Sequence, residues 1–317
     1  MTPTTGLDDG LMVLDGGLAT ELERRGLDIS GTLWSARVLQ SAPDAIEQLH
    51  YDYFAAGARC AISASYQASY EGFAAHGLGV DEATALLRRS VELACAARTR
   101  YRSEHPADRR KLYVAASVGP YGAISHDGAE YRGDYALSVD QLTAFHARRF
   151  RVLAGAGADV LACETLPALD EALALATLLA EHPQSRAWMS FTSPDGIHTS
   201  RGEPLTGCAQ RLDHVPNLVA IGVNCVRPEI VEEAIRALRA GTDKAIVVYP
   251  NSGECWDAQS HAWHGAWDRG SLAALAPRWV AAGARMIGGC CRVGPGEISA
   301  LHAALSRLGQ LPEPARA

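Results

Sequence analysis

Ala156-Gly157-Ala158-Asp159 leads into the apolar run Val160-Leu161-Ala162-Cys163, and the same punctuation recurs at Ala56-Gly57-Ala58-Arg59 and Ala282-Gly283-Ala284-Arg285. A glycine just past an alanine-rich helical pattern is the expected left-handed cap of a helix C-terminus, and the apolar run behind it reads as the next strand. The repeating unit is therefore helix, glycine, strand. Used as a ruler, it predicts eight strands, near 12–15, 60–64, 112–118, 159–163, 187–191, 218–223, 245–249 and 284–288. Most are continuously apolar, as parallel strands covered on both faces must be. Helical patterns fill the intervals, among them 81–100, 139–154, 169–179, 228–238 and 270–281. Eight βα units in series predict an α/β fold, a (β/α)8 TIM barrel. No composition shift divides the chain, so a single domain over 1–317 is expected, with a short irregular tail after about 311.

An open doubly wound sheet would carry G-x-G-x-x-G directly after a strand, whereas Gly155-Ala156-Gly157 precedes one and so reads as a cap. The 317 residues include 29 basic and 36 acidic side chains, a formal charge of −7, with 48% hydrophobic and 21% charged residues. That balance supports a large buried core and excludes wholesale disorder. Scattered arginines form no stripe to match a row of phosphates, which argues against nucleic acid as partner and favours a small molecule. No apolar run approaches the ~18 residues that span a bilayer, and the N-terminus lacks the pattern of an export signal. A cytoplasmic protein with no membrane partner is expected. A barrel takes about 250 residues. The surplus falls around 65–80, 119–138, 192–210 and 250–269, mostly after strands.

Catalytic groups of such a barrel come from the C-terminal ends of several strands. Here those ends read Asp15-Gly16-Gly17, Ser63-Ala64-Ser65-Tyr66-Gln67, Cys163-Glu164-Thr165, Asn224-Cys225, Tyr249-Pro250-Asn251 and Gly288-Gly289-Cys290-Cys291. Adjacent Cα atoms lie about 3.8 Å apart, short of the roughly 4.4–6.8 Å of ordinary disulfides, so Cys290 and Cys291 are not expected to bond to each other. Both sulfurs reach one point only where the backbone leaves strand geometry, a freedom that Gly288-Gly289 supplies. Cys225 faces the same rim. Three thiolates with an open fourth position match a zinc site that accepts a substrate. Cys60, Cys95 and Cys208 read as small buried hydrophobes, while Cys163 and Cys255 stay open, with core or loop roles favoured over ligation.

Zn²⁺ with three thiolates carries a net charge of −1, which suits it to holding one more thiol as thiolate. Sulfur as nucleophile calls for a methyl group on a cationic sulfur or nitrogen, because the leaving group then departs neutral. The rim acids Asp15 and Glu164 would pair the ammonium of an amino-acid thiol, and the amides of Gly16 and Gly17 would approach its carboxylate. Helix capping or a salt bridge is the alternative for either acid. Trp256, Trp263 and Trp267, with His261 and His264, read first as packing of a long loop and second as a lid facing a cationic donor. His126 and His198 show no ligand spacing.

LDGGLATELERRG at 14–26, SASYQAS at 63–69, AGADVLACETLP at 156–167, MSFTSPDGIHTSRG at 189–202, IGVNC at 221–225, VVYPNSGECWDA at 247–258 and GGCCRVGP at 288–295 together resemble the homocysteine S-methyltransferases. The resemblance implies a barrel enzyme that binds zinc through Cys225, Cys290 and Cys291 and methylates homocysteine to methionine. It also implies homocysteine contacts at Asp15, Gly16, Gly17 and Glu164, with Asn224 beside the metal. S-methylmethionine is the implied donor, with S-adenosylmethionine as a substitute. Val293-Gly294 departs from the Thr-Thr expected after Cys-Cys-Arg, which touches the adjacent loop and donor preference. A betaine-like donor or a selenocysteine acceptor is the alternative on the same centre. A thiol-based zinc or redox sensor is the alternative from another class, and Asp15 and Glu164 argue against it.

Overall fold

A computed structural model describes residues 10–29, 34–124, 127–257, 262–264, 271–309 and 311. The barrel strands are β1 (Met12–Val13), β2 (Cys60–Ile62), β3 (Tyr113–Val118), β4 (Val160–Leu166), β5 (Ala187–Phe191), β6 (Leu218–Asn224) and β7 (Ala245–Tyr249). A small antiparallel pair follows, β8 (Cys255–Asp257) with β9 (Ala262–His264), before the last barrel strand, β10 (Ala284–Ile287). The eight barrel strands pair in parallel in the order β1-β10-β7-β6-β5-β4-β3-β2. Leu14 and Cys60 bridge β1 to β2, with Asp15 N–H donating to Cys60 O at 3.0 Å and Arg59 N–H to Val13 O at 2.7 Å, so the eight-stranded sheet closes on itself. All eight expected strands are present at the expected places. The β8–β9 pair was not expected; it lies within the long insertion after β7.

Helices cover the outside: α1 (Leu18–Arg24), α2 (Trp34–Ser41), α3 (Pro43–Ala55), α4 (Tyr70–Ala75), α5 (Val80–Glu104) and α6 (Val139–Ala154) in the first half. The second half adds α7 (Leu169–Ala180), α8 (Leu205–Asp213), α9 (Val231–Arg239), α10 (Leu272–Ala282) and α11 (Pro295–Arg307). Gly57, Gly157 and Gly283 take positive φ, at 109°, 91° and 122°, as the cap reading requires. None of the described helices is long and apolar enough to cross a membrane.

Strand alternation divides the core in two. Val114, Ala116, Leu161, Cys163, Ile221, Val223, Ile246 and Val248 face the helices, whereas Met12, Leu14, Cys60, Tyr113, Ala115, Val160, Ala162, Trp188, Ala220, Val247 and Met286 fill the barrel. Two residues further along the inward rows stand Ser117, Glu164, Ser190 and Tyr249, and four residues beyond Ala220 stands Asn224; together they form a polar layer at the C-terminal mouth.

Two of the loops at that mouth hang on one buried ionic cluster. Arg149 of α6, fully buried, donates to Gly119 O and to Ala68 O at 3.3 Å, tying the loops after β3 and β2 together. Glu171 of α7 accepts from Tyr121 N–H at 2.5 Å and sits 2.8 Å from His146 Nε2. Burial pushes Glu171 up to about 7 and holds His146 well below its ordinary value.

Gly222 marks the tightest point of the barrel wall, where a Cβ would lie 1.6 Å from Val247 O. Gly222→Ala should cost about 2 kcal/mol or more, since the β6–β7 backbones must separate. Urea unfolding reads this directly, and an unchanged midpoint would contradict the packing described.

Candidate functional site

β6 and β10 deliver the thiols, and the exit of β7 between them sets their spacing. Tyr249 O accepts Cys225 N–H at 3.2 Å, and Pro250 O accepts Cys290 N–H at 2.7 Å. Asn251 Oδ1 accepts Cys291 N–H at 3.2 Å, while Ser252 N–H donates to Cys291 O at 3.0 Å. The chain then turns back over Cys290–Val293, closed by Val293 N–H to Cys290 O at 3.2 Å. Left-handed backbone falls on Cys225 (φ 53°) and Arg292 (φ 64°), not on Gly288-Gly289 as the glycine pair had indicated. Those glycines serve close approach instead: a Cβ on Gly288 would lie 2.6 Å from Leu14 Cβ, and one on Gly289 2.1 Å from Val293 Cγ1. Non-glycine residues in this region cost of order 1–3 kcal/mol each and persist where the surroundings over-determine them, typically at functional sites.

The three sulfurs meet. Cys225 Sγ lies 2.9 Å from Cys290 Sγ and 3.7 Å from Cys291 Sγ, and all three fall within 4.8 Å of one another. Among the described residues this is the one group of His, Cys, Asp and Glu side chains able to hold a metal ion. Hydrogen bonds from the Cys290 and Cys291 thiols hold Cys225 well below its ordinary value, and the same sharing raises Cys290. A soft, all-sulfur donor set with one side open to a cavity fits a thiophilic cation. The remaining cysteines lie elsewhere: Cys60, Cys163 and Cys208 are buried, and Cys95 is half-buried with its thiol toward Gly157 O. The side chain of Cys255 lies outside the described residues, as do those of Trp256, Trp263, Trp267, His126, His261 and His264.

A cavity of about 240 Å³ opens over the sulfurs, lined also by Gly16, Gly17, Tyr66, Glu130, Tyr131, Glu164, Asn224 and Tyr249. Asp15 lies beneath its wall, buried; Oδ2 accepts Ile62 N–H at 2.7 Å and Oδ1 has no partner. Burial, opposed by that hydrogen bond, raises its pKa well above the usual carboxylate range, and neighbouring Glu164 adds to the rise. Glu164, 7% exposed, accepts from the Ser117 hydroxyl, and burial pushes it up to about 7. Asn224 spends its amide on structure: Oδ1 accepts from Thr165 N–H and Ser190 Oγ at 2.7 Å each, and Nδ2 donates to Thr165 Oγ1 at 2.8 Å. That clamp holds Thr165 at φ 62°.

Gly16 and Gly17 are glycines because α1 starts against the turn after β10: their Cβ atoms would lie 2.1 Å from Val293 O and 2.4 Å from Cys290 O. Gly17 N–H already donates to Val293 O at 2.9 Å, so it is not free for a substrate carboxylate as expected. Val293 itself is buried and packs on Gly289, while Gly294 N–H is capped by Glu297 at 2.9 Å, which gives this dipeptide a packing and capping role.

Sequence reasoning missed Tyr131 and Glu130. Tyr131 keeps 43% of its surface exposed, yet its hydroxyl donates to Cys225 Sγ at 3.3 Å. Glu130 projects into the same cavity with Oε2 buried and unpartnered, and burial pushes it up to about 7. Both stand in a loop without hydrophobic period, and the only signal was the length of 119–138.

Together the fold and site define a (β/α)8-barrel protein with a three-thiol centre in an acid-lined mouth. The family model for homocysteine S-methyltransferase matches residues 12–305, and the chain belongs to that family. It is 50% identical over 92% of its length to homocysteine S-methyltransferase YbgG of Bacillus subtilis, covering 94% of that protein. It is 51% identical to the homocysteine S-methyltransferase of Escherichia coli, again over 92% of this chain and 94% of the relative. The crystal structure of the metallated form of the Escherichia coli homocysteine methyltransferase MmuM superposes with a TM-score of 0.85 at 48% identity, covering 93% of this chain and 96% of that one.

Glu164 makes stability pH-dependent. Its folded pKa, about 7, lies above the ordinary 4.5, so the folded state holds the proton more tightly and stability falls as pH rises from 4.5 to 7. In metal-free protein, Glu164→Gln should remove a fall of the order of 3 kcal/mol across that window. Urea unfolding at a series of pH values tests this, and an E164Q curve parallel to the parent would contradict it.

Proposed function

We propose that the protein transfers a methyl group from a sulfonium donor, S-methylmethionine or S-adenosylmethionine, to the sulfur of homocysteine, giving methionine. The observation that carries this reading is the convergence of Cys225, Cys290 and Cys291 under a cavity whose walls are acidic. In this reading Cys225, Cys290 and Cys291 hold zinc. Zinc bound there lowers the pKa of an arriving thiol, so that homocysteine sulfur is available as thiolate at neutral pH.

The chain's own residues do the rest. Asp15 and Glu164 receive the ammonium of homocysteine. Ile62 N–H and the Ser117 hydroxyl fix these two carboxylates, so the substrate meets a preset geometry. The Tyr131 hydroxyl satisfies Cys225 Sγ from the open side and covers the sulfurs. The Asn224 clamp keeps the β4 and β6 ends, and thus Glu164 and Cys225, in register. The homocysteine thiolate attacks the methyl carbon; the C–S bond to the sulfonium breaks, its electron pair stays on the leaving sulfur, and two neutral thioethers result. Charge is lost in that step, so a water-poor, low-dielectric mouth favours it.

Zinc-loaded protein should form methionine from homocysteine with either sulfonium donor, read by chromatography. Cys290→Ala should abolish both metal uptake and turnover while leaving the melting curve near that of the metal-free parent, because the ligands stand on the rim. No methionine with either donor would overturn the reading.

A further inference from the structure

The cavity over the sulfurs is lined by no lysine, arginine or histidine among the described residues, yet it carries carboxylates on two sides. Glu164 forms one acidic pole, and Asp15, buried beneath the wall, feels its charge. Glu130 forms a second, and its charge is felt by Tyr66 and Tyr131 and coupled to Cys225. Its placement is built in. Gly122 lies so close under the short 3-10 turn Ala129–Tyr131 that a Cβ there would sit 2.4 Å from Glu130 N, and Ala129 N–H is fixed by Asp127 Oδ1 at 3.0 Å. A carboxylate oxygen buried without a partner costs free energy unless a ligand satisfies it.

The chemistry of the reaction says which ligand group belongs there. A sulfonium loses its charge in the transition state, so a carboxylate placed against it would stabilise the ground state more and slow the transfer. Aromatic faces such as those of Tyr66 and Tyr131 suit a sulfonium better. An α-ammonium keeps its charge throughout, and pairing it with a carboxylate gives affinity without that penalty. Two amino-acid substrates bring two ammonium groups, and one acidic pole serves each.

We propose that Glu130 is a donor-specificity residue: its carboxylate receives the α-ammonium of an amino-acid sulfonium donor and selects such donors over sulfonium compounds that lack an ammonium. This rests on the methyl-transfer reading above.

The test compares S-methylmethionine with dimethylsulfoniopropionate, a sulfonium without an ammonium, on zinc-loaded protein. Glu130→Gln should raise KM for S-methylmethionine about 10-fold or more and weaken its calorimetric binding equally, with homocysteine KM within about twofold of the parent. The preference for S-methylmethionine over dimethylsulfoniopropionate, read as the ratio of their kcat/KM values, should fall about 10-fold or more. Glu130→Asp, which keeps the charge but withdraws it by one methylene, should show the same pattern at smaller size and carries the test if E130Q does not fold. Equal losses with both donors, a shifted homocysteine KM, or undiminished S-methylmethionine binding would overturn the proposal. If the parent forms no methionine, the methyl-transfer reading fails, while Glu130-dependent binding of S-methylmethionine would still uphold the anchor.

Discussion

Three sulfurs from two strands that are not neighbours must meet at one point, and the rest of the mouth is arranged around that requirement. β7 stands between β6 and β10, and its exit solves the problem by hydrogen-bonding to both sulfur-bearing segments: Tyr249 O to one side, Pro250 O, Asn251 Oδ1 and Ser252 N–H to the other. Cys225 and Arg292 then accept left-handed backbone. Strain of that kind survives only when neighbours leave no alternative. The glycines at 16, 17, 288 and 289 permit those neighbours to close in, and the Tyr53 hydroxyl, donating to Val293 O at 3.0 Å, fastens the turn after β10 from beneath.

The second feature is the sign of the charge. Glu164, Glu130 and the three thiols share one cavity with no basic residue on its wall among the described residues, and burial raises both carboxylates, as it raises Asp15 beneath the wall. Buried carboxylates of this kind are unfavourable when nothing pairs them, and a cationic group that keeps its charge, such as an ammonium, relieves that cost on entering. The buried Arg149–His146–Glu171 cluster contributes at one remove, by holding the loops that bring Tyr66, Glu130 and Tyr131 to the mouth.

Much of this was legible in the sequence because it is local or periodic. The glycine caps and continuous apolar runs located all eight barrel strands, and reading the strand ends picked out Cys225, Cys290, Cys291, Asp15 and Glu164. What stayed hidden depends on contacts between distant segments. Gly17 looked like a free amide donor until Val293 O was found to occupy it. Asn224 read as a neighbour of the metal, and it does line the cavity beside the thiols, but that its amide also clamps Thr165 and Ser190 was not visible in the sequence. Glu130 and Tyr131 sit in a short 3-10 turn of a long loop whose start, at Gly119, is held by Arg149, a charged residue of α6 that composition alone would put in solvent.

X-ray absorption at the zinc edge, recorded on zinc-loaded protein before and after addition of homocysteine, tests the central claim that the three thiols form an open metal centre for a fourth sulfur. The account predicts about three sulfur neighbours without substrate and about four with it. Fewer than three at the outset, or a count that homocysteine leaves unchanged, would contradict it.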